Sequence, residues 1–345
     1  MDVTETGMFD LPLETEPMEA RLAEALPADG DWHYEPKWDG FRCLAFKRGD
    51  AVDIRAKSGK PLGRFFPEVI AFLGRLPAER FVLDGELVIE TGGSLSFPAL
   101  QARLHPAASR IAKLSHDTPA RLVLFDMLVD IDGELLLDRP LSDRRLHLEA
   151  FYTAQESADL SLSPVTLDIE EARAWLSASG NAATDGVVAK RLTDVYMPGE
   201  RTMIKVKRLR TADCVVGGFR YQSETDAVGS LLLGLYDADG KLDHVGFTAT
   251  ISNAEREALT KQLEALREPP GFTGRAPGGP SRWSTERSAE WQPLRPELVV
   301  EVRFDQVTEG RFRHGTKLLR WRPDKKPSQC TFEQIAAPVR MPPSE

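Results

Sequence analysis

Cysteine is scarce: the three in 345 residues, Cys43, Cys214 and Cys330, lie far apart and include no Cys-x-x-Cys pair. A zinc ribbon and a disulfide framework are excluded, and a reducing compartment fits. Long apolar runs are missing as well. No stretch approaches the ~20 consecutive apolar residues of a membrane span, and the N-terminus has no basic region leading into an apolar one. The sequence therefore predicts a soluble, cytosolic protein with no membrane partner. None of the six histidines falls in a metal-binding spacing, so packing or surface positions are expected of them. Internal repeats and low-complexity segments are absent.

An excess of positive charge is absent too. The formal net charge is −9, whereas nucleic-acid binders usually carry a basic footprint. Its distribution matters more than its sum. Residues 1–35 hold ten acidic residues against one basic residue, Arg21, and the other 310 carry 43 charges of each sign. Within that neutral remainder the cations bunch. Lys205, Lys207, Arg208 and Arg210 fall within six positions, and Arg311, Arg313, Lys317, Arg320, Arg322, Lys325 and Lys326 crowd a second segment. Each cluster could bind a polyanion or form a solvated charged face.

The length suits two domains, and the pattern changes near residue 210, giving expected domains 1–208 and 209–345. The first reads as α+β. Val82–Ile89, Arg121–Asp126 and Gly186–Lys190 are expected buried strands. Asp168 with Glu171 predicts a capping box opening a helix through Ser177, stopped by Gly180. The second domain is mainly β. Cys214–Phe219, Leu231–Tyr236, Leu242–Thr248, Leu298–Phe304 and Leu318–Arg322 read as strands, with a hairpin turn at Asp239-Gly240. A helix is expected over 254–267 and a Pro/Gly-rich connection over 269–296. Five or so short strands interrupted by one helix suit a small OB-type barrel.

Lys37-Trp38-Asp39-Gly40-Phe41-Arg42 is the most informative segment. It offers an amine, a carboxylate, a glycine with no Cβ to obstruct a phosphate, and an arginine; read alone, it also fits a charged hairpin turn. Asp84-Gly85-Glu86 puts carboxylates at the end of an apolar strand, where they need a cation, a metal or a sugar hydroxyl. Asp185-Gly186-Val187-Val188-Ala189-Lys190 repeats that design with a lysine at the far end. Lys205 and Lys207 alternate on one strand and so share a face. Each of these singly also fits a structural turn or a lysine-guarded edge strand.

In this order and spacing the segments resemble the covalent nucleotidyltransferases, and most closely the ATP-dependent DNA ligases. Lys37-x-Asp39-Gly40-x-Arg42 resembles motif I, Asp84-Gly85-Glu86 motif III and Leu124-Phe125-Asp126 motif IIIa. Asp185 to Lys190 resembles motif IV, Lys205-x-Lys207 motif V, and Arg322-Pro323-Asp324-Lys325 motif VI. Phe97 to Arg103 and Leu141 to Arg145 are further segments similar to the DNA ligase pattern. The resemblance runs from about Glu35 to Pro327 and is greatest to the short bacterial two-domain type.

That resemblance implies a mixed two-sheet, ATP-grasp-like nucleotidyltransferase domain followed by an OB-fold domain. It implies a DNA ligase in which Lys37 attacks the α-phosphate of ATP and carries AMP to the 5′-phosphate of a nick. Lys190, Lys205 and Lys207 would suppress the charge of Lys37 and stabilise the α-phosphate. Glu86 and Asp185 would hold Mg²⁺, with Mn²⁺ as a substitute, and Glu86 would also lie near the ribose. Phe125 would stack on adenine, Glu35 would read its amino group, and Arg42 would contact ribose or the 3′ side of the nick. Asp39 and Gly40 would complete the nucleotide site, and Arg322 and Lys325 would orient pyrophosphate. The implied partners are nicked double-stranded DNA and DNA end-binding or repair proteins, with a monomer in the cytoplasm at the nucleoid.

Three positions depart from the family pattern. Asp185 stands where glutamate is usual, Ala56-Lys57 where serine-arginine is usual, and Met203 where tryptophan is common. A capping guanylyltransferase shares motifs I, III, IV, V and VI but not the Gln101–Arg103 and Leu141–Arg145 segments. An NAD-dependent ligase needs a fourth cysteine for its zinc site, and an RNA ligase lacks support in the second domain. A non-catalytic DNA-end-binding module predicts a decayed lysine or carboxylates, and these are intact.

Overall fold

The computed structural model describes residues 9–155, 157–180, 183–223, 225–278 and 290–336. The first eight residues of the acidic segment and residues 279–289 of the Pro/Gly-rich connection lie outside the described residues. Two compact units divide the chain, Met1–Arg208 and Leu209–Glu345. Among the described residues no helix is long and apolar enough to cross a membrane.

In chain order the first unit contains β1 (Ala20–Ala23), β2 (Trp32–Trp38), β3 (Phe41–Arg48), β4 (Ala51–Ala56), α1 (Pro67–Arg75), β5 (Arg80–Thr91) and β6 (Ser94–Leu95). There follow α2 (Phe97–Arg103), α3 (Ala108–Asp117), β7 (Ala120–Val129), α4 (Leu141–Gln155), β8 (Leu160–Leu162), α5 (Ile169–Ala178), β9 (Thr184–Arg191) and β10 (Met203–Lys207). The strands make two sheets, a smaller one in the order β1-β10-β9-β2 and a larger one in the order β4-β3-β5-β7-β8, with β6 on β5. Both are mixed, because β1 runs parallel to β10 and β8 parallel to β7.

Alternation along the strands decides which face of the smaller sheet is dry. Trp32 and Tyr34 of β2, Val187 and Ala189 of β9, and Ile204 and Val206 of β10 form one apolar cluster with Ala172 of α5. The intervening residues, His33, Glu35, Lys37, Lys190, Lys205 and Lys207, belong by the same two-residue period to the opposite face. A one-residue slip would exchange the two faces, so burial under α5 fixes the register. β10 lies between β1 and β9. It is therefore no edge strand, and its lysines do not guard an edge.

The larger sheet packs one face on helices. Cys43, Ala45, Leu83, Leu87, Leu122 and Leu124 are buried with Val69, Phe72 and Leu73 of α1 and with Leu148 and Phe151 of α4. Its other face supplies Leu44, Phe46, Val82 and Leu128 to a cluster that includes Met203 of β10, and this cluster stacks the two sheets. Full burial of each such side chain contributes about 1.5–3 kcal/mol. The Asp84-Gly85-Glu86 triplet sits in the middle of β5, not at a strand end as expected, because β5 continues to Thr91. α5 is capped by Asp168, whose side chain accepts from the Glu170 N–H instead of forming the expected box with Glu171.

The second unit contains β11 (Arg210–Tyr221), β12 (Val228–Tyr236), β13 (Leu242–Thr248), α6 (Asn253–Glu264), β14 (Gln292–Pro293), β15 (Val299–Phe304), β16 (Val307–Thr308), β17 (Arg311–Phe312) and β18 (Lys317–Trp321). The main sheet runs β13-β12-β11-β15-β18, and β14 pairs with β11. Its two ends meet where Thr248 bridges Thr316, the Thr248 hydroxyl donating to the Thr316 carbonyl at 2.9 Å. The result is an OB-type barrel, its end strands meeting at that bridge. Leu259 and Leu263 of α6 join its core. That helix ends at Glu264, three residues before the expected end.

Candidate active site

The hexapeptide Lys37 to Arg42 is not a hairpin. Lys37 and Trp38 close β2 in the smaller sheet, whereas Phe41 and Arg42 open β3 in the larger one, and these strands do not pair. Asp39-Gly40 is thus the link between two sheets. Asp39 donates its N–H to the Ala183 carbonyl at 3.1 Å. A Cβ on Gly40 would stand 2.2 Å from the Leu87 carbonyl oxygen and 2.7 Å from the Glu86 Cγ. The space left by the missing Cβ therefore admits the backbone of β5, not a phosphate as expected. Gly40 N–H then donates to Glu86 Oε1 at 3.1 Å, which anchors this carboxylate beside the link.

A cavity opens between the polar face of the smaller sheet and the larger sheet. Glu35, Lys37, Lys190 and Lys205 line it from one side, Arg42, Glu86 and Phe125 from the other, and Pro17 to Ala20 close a flank. Asp39, Gly40, Asp185 and Lys207 are not on that lining. An apolar groove bounded by Phe41, Leu62, Phe65 and Leu104 shares Glu19, Arg42, Lys57 and Glu86 with the cavity.

Lys37 Nζ lies 2.7 Å from Asp185 Oδ1, and Lys207 Nζ lies 3.0 Å from Asp185 Oδ2. Asp185 owes this position to a β-bulge. Lys37 pairs with Gly186 and Trp38 with Thr184, so Asp185 is the extra residue on β9. Simple alternation would put it on the apolar face with Val187; a bulge re-aims the side chain. Gly186 between the two lysines has no room for a Cβ, which would meet the Val206 carbonyl oxygen at 2.1 Å.

Glu35 is buried, and its Oε1 meets His33 Nε2 at 2.8 Å and Lys190 Nζ at 2.7 Å. Burial alone would push the Glu35 carboxyl up. The Lys190 charge and the His33 hydrogen bond outweigh that and hold it at about 2. Lys190 also donates to the Phe125 carbonyl at 3.3 Å. Burial, then the charges of Lys37, Lys57 and Lys207, push the Lys205 amine down. Burial pushes the Glu86 carboxyl up to about 7, against the pull of Arg42 and Lys37.

On the larger sheet Arg42 is held by a two-pronged bond to Asp84, each nitrogen–oxygen distance 2.5 Å, and donates to the Met18 carbonyl at 3.2 Å. Burial opposes the guanidinium charge, but the Asp84 carboxylate raises the Arg42 pKa nonetheless. Tyr196 donates its hydroxyl to the same Asp84 at 2.6 Å and accepts from the Met18 N–H at 3.0 Å. Phe125 is another bulge residue. Asp84 pairs with Asp126 and Gly85 with Leu124, leaving Phe125 over. Its ring carries Arg42 at 4.6 Å and Lys190 at 4.9 Å from the centroid. Behind it Arg144 grips Asp126 at 2.8 and 2.9 Å.

The structure thus gathers Glu35, Lys37, Arg42, Glu86, Phe125, Lys190 and Lys205 at one cavity, with Asp39, Gly40, Asp185 and Lys207 supporting them. Two expectations change. The cation cluster does not simply surround Lys37: Lys190 is tied to Glu35, and Lys207 shares Asp185 with Lys37. Arg42 is committed to Asp84, so its guanidinium is an oriented group. Lys57 pairs with Glu19 at 2.9 Å. In the second unit Arg322 is bound to Asp213 at 2.7 Å and to Asp324 at 2.8 Å, and Lys325 to Asp213 at 2.9 Å. Residues that the sequence reading missed are His33, Tyr196, Glu19 and Met18. Only His33 left a signal, its two-residue offset from Glu35 on a strand.

Among the described residues no group of three or more His, Cys, Asp or Glu is arranged for a metal ion. Glu86 and Asp185 offer hard oxygen donors of the type Mg²⁺ takes, and that ion commonly uses one or two carboxylates with substrate phosphates. Asp185 already bridges Lys37 and Lys207, so an ion held by these carboxylates would need phosphate oxygens as further ligands.

Known proteins match this chain across both units. Residues 15–207 match the family model described as ATP dependent DNA ligase domain, and residues 224–325 that described as ATP dependent DNA ligase C terminal region. DNA ligase C1 of Mycolicibacterium smegmatis is 44% identical over 344 residues, covering 96% of this chain and 97% of that protein. The multifunctional non-homologous end joining protein LigD of Mycobacterium bovis is 33% identical over 314 residues, 88% of this chain but 37% of that protein. A solved structure from a study of Lig E DNA ligases, 18% identical with a TM-score of 0.53, covers 88% of this chain and 99% of that one, and shares the fold. With both units matched in order and a relative aligned nearly end to end, the chain belongs to the ATP-dependent DNA ligases.

Proposed function

We propose that this DNA ligase seals 5′-phosphate/3′-hydroxyl nicks through a covalent lysyl-AMP on Lys37. The observation that carries the assignment is the position of Lys37, at the rim between two sheets, facing a cavity walled by Glu35, Arg42, Glu86, Phe125, Lys190 and Lys205. The Lys37 amine, once deprotonated, attacks the α-phosphorus of ATP; the P–N bond forms and the bond to the β-phosphate oxygen breaks, releasing pyrophosphate. A 5′-phosphate oxygen of DNA then attacks the same phosphorus, and the lysine leaves. The 3′-hydroxyl finally attacks the DNA 5′-phosphorus, its proton is lost, and AMP departs as the strand closes.

Each neighbour has a place in that sequence. Asp185 positions Lys37 and can take up its proton when the amine is freed. Lys205, together with Lys207 once the nucleotide is bound, stabilises negative charge gathering on the α-phosphate. Phe125 offers its ring to the adenine, and Glu35 accepts from the exocyclic amine. Arg42, oriented by Asp84, reaches the ribose or the 3′ side of the nick. Asp39 and Gly40 keep the link between the sheets in place. Arg322 and Lys325 would exchange Asp213 for pyrophosphate, which requires domain closure in the first step and opening afterwards. Mg²⁺, with Mn²⁺ as a substitute, would be held by Glu86 and Asp185 and would neutralise phosphate charge.

The test is transfer of label. With Mg²⁺ and α-labelled ATP, GTP or NAD, only ATP should label the protein, and Lys37→Ala should take none. Labelling from GTP would favour a capping-type enzyme, and none at all a binding module. Sealing of nicked DNA in preference to nicked RNA supports the polymer assignment. The similarity to an end-joining protein supports a role in DNA repair, with DNA end-binding or repair proteins as partners. We place the enzyme as a monomer in the cytoplasm at the nucleoid.

A further inference from the structure

His33 lies two residues from Glu35 on β2 and directly opposite Lys190 on β9. All three side chains are buried on the cavity side of the smaller sheet. His33 Nε2 and Lys190 Nζ converge on one oxygen, Glu35 Oε1, at 2.8 and 2.7 Å. A carboxylate only accepts, so the His33 Nε2 carries a hydrogen. Both contacts fall on Oε1, and Glu35 lines the cavity.

The geometry points to His33 as a specificity-positioning residue that, with Lys190, clamps Oε1 and leaves the acceptor-only Oε2 to select a purine with an exocyclic amino group over one with a carbonyl. This rests on the nucleotide reading of the cavity given above. At the 6-position adenine presents an N–H donor and guanine an oxygen. Two facing acceptors repel, and a buried polar group left unpaired is costly, so a site built this way discriminates strongly. Lys190 alone is a poor clamp, because its ammonium sits on a flexible stem and can follow the carboxylate as it turns. The His33 ring, 2% exposed, cannot follow. Without it, Glu35 is free to rotate about a broad terminal torsion or to take up a proton and become a donor to guanine.

The experiment measures kcat/KM for labelling of Lys37 by α-labelled ATP and GTP in the full chain, its His33→Leu variant and its His33→Gln variant. In His33→Leu the ATP-over-GTP ratio should fall about tenfold or more, with a raised KM for ATP and little change in kcat. In His33→Gln, whose amide nitrogen reaches the Nε2 position, the ratio should stay near that of the parent. A parent-like ratio in His33→Leu overturns the inference, and so does an equal loss in both variants. Should His33→Leu fail to fold by circular dichroism, His33→Asn, too short to reach Oε1, takes its place with the same two outcomes. Absence of ATP labelling in the parent protein would sink the nucleotide reading itself, so the two failures are distinguishable.

Discussion

Lys37 Nζ stands 2.7 Å from Asp185 Oδ1 because β9 carries one residue more than β2 where they pair. The bulge turns a side chain due for the apolar face toward the lysines. With a carboxylate one methylene shorter than the usual glutamate, the strand geometry supplies the reach. Asp185→Asn keeps the shape but leaves Lys37 and Lys207 facing each other without a counter-charge. Single-turnover labelling by ATP should fall on the order of 100-fold, whereas Asp185→Glu should stay much closer to the parent. Equal rates for all three proteins would remove Asp185 from the chemistry.

Gly40→Ala tests the link between the sheets. Its Cβ would meet the Leu87 carbonyl oxygen at 2.2 Å, and backbone in the middle of a sheet yields little. Overpacking of this kind costs about 1–3 kcal/mol. The expected outcome in urea denaturation is a lower midpoint together with weaker labelling, because Glu86 loses its anchor on the Gly40 N–H. An unchanged midpoint would show that the link has slack.

Tyr196→Phe removes one hydroxyl between Asp84 and the Met18 N–H and should cost about 1–3 kcal/mol. Asp84→Asn leaves the Arg42 guanidinium without its counter-charge and should cost more, about 3–5 kcal/mol. Chemical denaturation of the two variants checks the order. If Tyr196→Phe were the more damaging, the hydroxyl and not the ion pair would be holding Arg42.

His244, buried on β13, has its pKa lowered to about 3 by burial and then by Arg311 and Arg220. Arg311 donates to its Nδ1 at 3.2 Å, which requires the neutral ring. Its folded pKa is depressed below the unfolded value of about 6.5. Its contribution is therefore full above pH 6.5 and is lost as pH falls from there toward 3. Between pH 7.5 and pH 5 the stability should drop by about 2 kcal/mol from this group. Urea titrations at the two pH values check this, and a His244→Leu variant should lack that part of the drop. An identical pH slope in the variant would assign the loss to other groups.

Affinity for a bare nick should be weak and salt-sensitive. Arg322, Lys325, Lys57 and Lys207 are each already paired with a carboxylate, so DNA phosphates must compete for them. Binding that rests on such contacts falls steeply between low and physiological salt. Fluorescence anisotropy with a nicked duplex at 50 and 200 mM salt checks it; tight binding unchanged across that range would contradict it.

The sequence by itself determined several strands, Val82–Ile89, Arg121–Asp126 and Gly186–Lys190 among them, and the residue types at the site. Alternation in Lys205-x-Lys207 assigns these side chains to one face, since successive residues of a strand point to opposite sides. It also marked Glu86, Phe125, Asp185 and Lys190 through their motifs. Tertiary structure decided what those residues touch. Asp185 and Phe125 reach their places through bulges, and a bulge is a difference in residue count between two strands far apart in the chain. No single strand carries that information. Likewise Tyr196 meets Asp84 across 112 positions, and Gly40 is required by the carbonyl of Leu87 on another strand. Lys37 was legible as a lysine of the right motif; its partnership with Asp185 followed only from how β2 and β9 pair.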